Sequence, residues 1–332
     1  MRVIDVHSHY VPRAWPDLAE VTGAPDWPTL RVESEHEAMI MLGSREFRRI
    51  TAQCWDAELR LADMDADDVD LQVVSPTPVF FNYARPADQA AKVAAIMNDL
   101  ALEIVSPCPE RLIPFAQVPL QDTDAACAEA ERSLANGHLG VEIGNHVGDR
   151  DLDDAGIVTF LQHCAAIGMP VFVHPWDMPS TARTDRWMAQ WLVGMPSETH
   201  LSILAMILGG AFDRISPELR ICFAHGGGSF AMWLGRAENA WHRRPDAVAT
   251  SAQPPSAYLD RFSVDSWVAS EDSLRLLLEI HGPDHVMLGS DYPYPLGEER
   301  VGALVRGALM PEHDRTLILG GNATEFLGIV PA

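Results

Sequence analysis

Lysine is almost absent from this chain: Lys92 is the only one in 332 residues. It falls in ADQAAKVAAIMNDLALEIV, whose apolar residues recur every three or four positions, as on a two-faced helix, with the lysine among polar neighbours. A Schiff-base lysine, a pyridoxal-phosphate lysine or a carbamylated lysine bridging two metals would each need a lysine inside a pocket. The sequence argues against all three. Basic charge is scarce as well, with 24 Lys and Arg against 47 Asp and Glu and a formal charge of −23. Phosphate backbones need a basic footprint, so a nucleic-acid partner is excluded, and any small anionic substrate must be met by local arginines in a cleft.

Paired cysteines are missing too. Cys54, Cys108, Cys127, Cys164 and Cys222 are odd in number and scattered, with no C-x-x-C pair, which reads as reduced core thiols. No run reads as a membrane span. The opening MRVIDVHSHY enters a strand at once and leaves no room for a leader's basic and apolar regions, so a cytoplasmic protein without membrane attachment is expected.

What is present is the balance of a globular protein, 47% hydrophobic and 21% charged residues. Short β-rich runs recur at 3–9, 70–76, 112–118, 139–145, 170–175, 219–225, 261–266 and 285–291. Helical stretches such as DAACAEAERSLANG and DSLRLLLEIHG lie between most of them. Strand and helix in alternation imply a parallel sheet. Eight units, and no G-x-G-x-x-G turn after the first strand, favour a closed (β/α)8 TIM-like barrel over an open doubly wound sheet. One barrel domain over 1–332 is expected, with two departures from regular spacing. Residues 10–56, containing TLRVESE, MIMLG and EFRRI, read as a small hairpin-bearing insertion after the first strand. WDMPSTARTDRWMAQWLVGMPSET follows the fifth. Loops at the strands' C-terminal ends build the active face of such barrels, so both should wall the pocket.

His7 and His9 lie two apart on a strand and so project to one face at its C-terminal end. His174 ends VFVH, His225 ends CFAH and Asp291 ends LGSD, each at the same height in the repeating unit. A barrel gathers these ends around one axis, where nitrogen and oxygen donors form a metal site suited to zinc or its neighbours. A closed site would use all five residues, whereas a catalytic one keeps a position open. His225 precedes three glycines, which let backbone and substrate approach closely, and is therefore assigned as the acid or base.

DVHSH, VFVHPWDM, WLVGMPSET, ICFAHGGGSF with Gly235 and Arg236 beyond it, and VMLGSDYPYPLGE together resemble the amidohydrolase superfamily, and within it a branch of metal-dependent decarboxylases. The resemblance runs from Ile4 to about Leu327. It implies a distorted barrel holding one zinc ion per chain on His7, His9, His174 and Asp291, with water completing the shell and His225 moving protons. It implies that Arg48 of EFRRI grips a substrate carboxylate and that Trp191 of QWLVGMP packs near the substrate. Arg236 matches an arginine donated across a homodimer interface. Tyr294 of DYPYP stands where the family often has phenylalanine, placing an added hydroxyl near the substrate. Arg49 adjoins Arg48 and competes for its role. The fourth strand offers VEIGN where two-metal relatives carry a lysine. The implied activity is zinc-dependent decarboxylation of a small dicarboxylate without an organic cofactor. Lactone or amide hydrolysis, hydration or aromatic-acid decarboxylation on the same scaffold, and a non-catalytic metal-binding role are the alternatives.

Overall fold

The computed structural model describes residues 2–246 and 250–330. Each of the eight expected strands forms, in chain order around the sheet: Ile4–Asp5 with His9–Tyr10, Leu71–Pro76, Leu112–Ala116, Gly140–Gly144, Val171–His174, Ile221–Phe223, Ser263–Asp265 and Val286–Met287. Neighbours pair in parallel, as in Ile4 with Leu71, Val171 with Val141, and Val264 with Val286. The first strand is not continuous as the sequence suggested, because the segment between its two halves turns to the eighth strand. Val6 N donates to Leu288 O at 2.9 Å, Asp291 N donates to His7 O at 2.9 Å, and Ser8 bridges Tyr292. Those bonds bring the first and last strands together and nearly close a barrel, with helices between the strands.

The helices start where the sequence places short acceptors. Asp56 caps Ala57–Ala66 by accepting from Glu58 N and Leu59 N, Asp122 caps Thr123–Asn136, Asp154 caps Ala155–Ile167 and Ser270 caps Glu271–His281. Lys92 lies exposed on Ala87–Val105, as its pattern indicated. Inside the barrel, Ile4, Val6, Leu71, Val73, Ile113, Phe115, Phe172 and Met287 pack together. Ala323, Phe326 and Leu327 of the final helix join them. All five cysteines are free, and Cys54, Cys164 and Cys222 are buried.

The first insertion forms three antiparallel strands, Pro28–Val32, Glu37–Leu42 and Arg45–Thr51. Its apolar face, including Trp27, Ile40 and Ile50, packs on Val11, Phe80 and Met97, with Phe47, Trp176 and Tyr294 at the margin. The insertion thus sits over the barrel mouth. The second excursion runs irregularly to a π-helical turn, Gln190–Gly194, and then into helix Met195–Leu208. This combined stretch is long and apolar enough to cross a bilayer, which the sequence reading did not register. Here Ile203, Met206 and Ile207 pack in the same core cluster as Val171 and Ile221, which docks the helix on the barrel wall. Its other side leaves Leu192, Val193 and Leu201 exposed.

Candidate active site

His7 and His9 are fully buried, and their Nε2 atoms stand 3.2 Å apart. Asp291 Oδ1 lies 3.2 Å from the Nε2 of His9 and 3.6 Å from that of His7. With His174 added, the four ligand atoms fall within 4.8 Å of one another. Donors bound about 2.1 Å from a shared ion in a tetrahedron lie about 3.4 Å apart, so the separations of 3.2–3.6 Å among His7, His9 and Asp291 fit a single ion.

The far side of each ring explains why the Nε2 atoms converge. His7 Nδ1 meets Asp265 Oδ2 at 2.6 Å, His9 Nδ1 meets the Pro76 carbonyl at 3.3 Å and His174 Nδ1 meets the Pro175 carbonyl at 2.9 Å. Carboxylates and carbonyls only accept, so the ring protons are held on Nδ1 and each Nε2 keeps its lone pair for a cation. His174 Nε2 is buried with no partner among the described residues. A metal-binding site is present.

Electrostatics fit the same reading. Burial alone would make His7 easier to deprotonate, but Asp265, Asp291 and Glu142 outweigh it and push His7 up to about 9. Burial holds His9 down at about 4 and drives His174 well below the ordinary histidine range. Burial would raise Asp291, yet the neighbouring His225, His9 and His7 imidazoles keep it well below the usual carboxylate range. An anionic oxygen, two imidazoles kept neutral by burial and His7, whose extra proton a cation would displace, form a donor set that binds divalent cations.

His225 and Asp291 both lie past the strand ends instead of on them, in left-handed conformations with φ of 54° and 61°. His225 opens a run of four positive φ values that continues through Gly226, Gly227 and Gly228. The run is open only to glycine at its end: a Cβ on Gly228 would stand 2.2 Å from the Pro196 carbonyl oxygen. The turn aims the ring into the site, with Nε2 3.7 Å from Asp291 Oδ2 and Nδ1 buried and unpartnered. His225 is outside the four-atom cluster.

These residues open on a cavity of about 930 Å³. Arg48 and Arg49 share a strand and so project to opposite faces. Arg49 pairs with Glu33 and Glu37. Arg48 forms no salt bridge among the described residues. Its guanidinium stacks 4.5 Å from the ring centroid of Tyr294, inside the cavity. Tyr294 hydroxyl meets Thr77 Oγ1 at 2.5 Å, and its ring lies 5.4 Å from that of His9. Trp191 also lines the cavity, and its buried indole N–H has no partner among the described residues. Arg236 does not join them. It is exposed on helix Phe230–Arg243, beside the exposed Met232 and Trp233.

Three residues that the sequence reading passed over support the site. Asp265 ends the seventh strand at the height of the other ligands, a position that could have been read. Glu142, in VEIGN, is completely buried 3.9 Å from His9 Nδ1, and burial pushes its carboxyl well above its usual range. Arg60 is also completely buried. It donates to Ser8 Oγ, Gln72 Oε1 and the carbonyls of His9 and Gln53, and stacks on Tyr292 next to Asp291. Nothing around Arg60 in the sequence signals this.

The family model described as amidohydrolase matches residues 4–329. The chain belongs to the amidohydrolase family. It is 40% identical to the 2-amino-3-carboxymuconate-6-semialdehyde decarboxylase of Dictyostelium discoideum over 99% of this chain and 92% of that protein. It is 32% identical to the Caenorhabditis elegans protein of the same name over 99% and 94%. The solved 5-carboxyvanillate decarboxylase of Sphingomonas paucimobilis superposes with a TM-score of 0.82 at 25% identity, covering 99% of both chains. This amidohydrolase is a metal-dependent decarboxylase of that family.

Proposed function

We propose that the chain is a zinc-dependent, non-oxidative decarboxylase of 2-amino-3-carboxymuconate 6-semialdehyde, giving 2-aminomuconate 6-semialdehyde and CO2 in tryptophan degradation through the kynurenine route. The observation that carries this reading is the meeting, in one cavity, of the four converging ligands with an arginine that has no carboxylate partner, in a chain 40% identical to a decarboxylase named for that substrate. Zinc held by His7, His9, His174 and Asp291 would polarise what it binds and lower the pKa of a coordinated water to about 7.

The chain's own groups supply the rest. Arg48 offers a planar fork to a substrate carboxylate, held in place by Tyr294. Trp191 offers an indole donor. Phe47, Trp176, Met195 and Leu296 wall the cavity with apolar surface that excludes water and strengthens those contacts. Loss of CO2 leaves a bonding pair on the substrate, and a proton must move to balance it. His225, with Nδ1 free and Nε2 near Asp291, is the group placed to carry that proton.

The proposal extends to a cytoplasmic homodimer in which Arg236 completes the partner's site on a second carboxylate. Arg236 is exposed and does not itself line the cavity, although Met232 one turn earlier does, and Trp233 beside it is also exposed, which supports this. Purified enzyme reconstituted with zinc should release one CO2 per substrate consumed as the substrate's absorbance falls. Turnover to a hydrolysed or hydrated product without CO2 overturns the substrate and reaction assignment. Mixing inactive Arg48→Ala and Arg236→Ala chains should restore activity, since one site of each heterodimer keeps both arginines. No recovery in verified heterodimers removes Arg236 from the partner's site.

A further inference from the structure

Both carboxylate oxygens of Asp265 are committed, and they are committed to different parts of the site. Oδ2 lies 2.6 Å from His7 Nδ1. Oδ1 accepts from Gly226 N at 2.9 Å and from Trp267 N at 3.1 Å. The side chain is completely buried, and the packing around it is closed: a Cβ on Gly289 would stand 2.7 Å from Asp265 Cβ and 2.9 Å from His7 Cβ. Gly226 follows His225 in the left-handed turn, and Trp267 lines the cavity.

We propose that Asp265 is a positioning residue that couples the metal-facing orientation of His7 to the backbone turn presenting His225. The inference rests on the reading of His7 as a ligand and His225 as the proton carrier. The coupling follows from donor and acceptor counts. An ionised carboxylate only accepts, so one side chain can take the His7 Nδ1–H on one oxygen and two backbone N–H groups on the other. The first contact leaves His7 Nε2 unprotonated toward the other ligands. The second ties down, at Gly226 and Trp267, the turn in which His225 alone of four consecutive positive-φ residues carries a side chain.

Asparagine has the same shape but cannot do both. If its amide oxygen serves Gly226 and Trp267, its NH2 faces His7 and donates, so Nδ1 must accept and the ring proton moves to Nε2, where it blocks ligation. If the amide is turned over, the NH2 faces two backbone N–H groups and the turn loses its acceptor. Alanine removes both contacts.

The test uses the full-length protein stripped of metal, with zinc as the probe. Zinc affinity of wild type, Asp265→Asn and Asp265→Ala is measured by competition with a chromophoric chelator, alongside the melting temperature of each metal-free form. Asp265→Asn is expected to weaken zinc binding ten- to hundredfold, the usual cost of losing a ligand-orienting partner, while melting within a few degrees of wild type. With zinc saturating, kcat should fall further in Asp265→Ala than in Asp265→Asn, because only alanine always releases the turn. A double-mutant cycle with His7→Asn guards against loss of fold as the cause: if Asp265 acts through His7, adding Asp265→Asn to His7→Asn costs little further affinity. Zinc binding by Asp265→Asn within threefold of wild type, or fully additive losses in the cycle, overturns the proposal. Wild-type protein that binds no zinc would instead count against the metal assignment.

Discussion

Replacing His225 with asparagine separates moving a proton from holding a metal. His225 sits at φ 54°, a conformation that asparagine tolerates far better than most residues because its side chain bonds the local backbone, whereas alanine has no such group and pays about 1 kcal/mol or more there. His225→Asn should therefore fold and melt close to wild type, and any loss of activity can be assigned to the ring. The ring lies outside the four ligand atoms that fall within 4.8 Å of one another, and its nearest approach to Asp291 is 3.7 Å. Metal content should stay near one ion per chain. A positioned acid or base contributes roughly a hundred- to ten-thousandfold, which at about 1.36 kcal/mol per decade corresponds to about 3–5 kcal/mol of barrier. The assay is kcat/KM for CO2 release, with elemental analysis and a melting curve on the same preparation. Loss of metal as complete as in His174→Ala would make His225 a ligand. Retention of more than about a tenth of wild-type kcat/KM would remove it from the proton-transfer step.

His174→Ala deletes a donor whose Nε2 has no other partner, so metal content should fall from about one ion per chain to a trace, together with activity; two tightly bound ions in active wild type would contradict the single-ion arrangement. Gly228→Ala places a Cβ 2.2 Å from the Pro196 carbonyl oxygen at φ +64°, and should lower the urea midpoint by an amount worth about 2 kcal/mol or more while disordering the His225 turn; an unchanged midpoint would show that the turn relaxes freely. His281 packs between Phe230 and Phe262, away from the metal ligands, with neither ring nitrogen bonded, and burial holds it down at about 4. Its folded value lies below the ordinary 6.5, so the unfolded chain binds the proton first and stability falls as pH drops from about 6.5 toward 4. That amounts to about 2 kcal/mol between pH 7 and pH 5. Denaturant titrations should show His281→Leu losing that much less than wild type over the interval, and identical pH slopes would refute the assignment.

The sequence by itself determined the parts of this protein that follow from local spacing. Alternating apolar runs set the eight strands, and short acceptors such as Asp56, Asp122 and Asp154 set the helix starts. Histidines two apart in the first strand and a histidine and an aspartate closing later runs marked the donors, although the break that carries His7 to the eighth strand and the left-handed turn at Asp291 came with the fold. Contacts across hundreds of residues belonged to the tertiary structure alone. Arg48 and Arg49 look alike in sequence and both line the cavity, and only the insertion's packing stacks one on Tyr294 and pairs the other with Glu33. Arg60 looks like an ordinary polar helix residue until the fold buries it against Ser8, the His9 carbonyl and Tyr292. Asp265 meets His7 across 258 positions of chain. A side chain's partner at that separation depends on how strands are ordered and how helices pack between them. Local periodicity carries no record of either, so the donors were legible in the sequence and the residues that aim them were not.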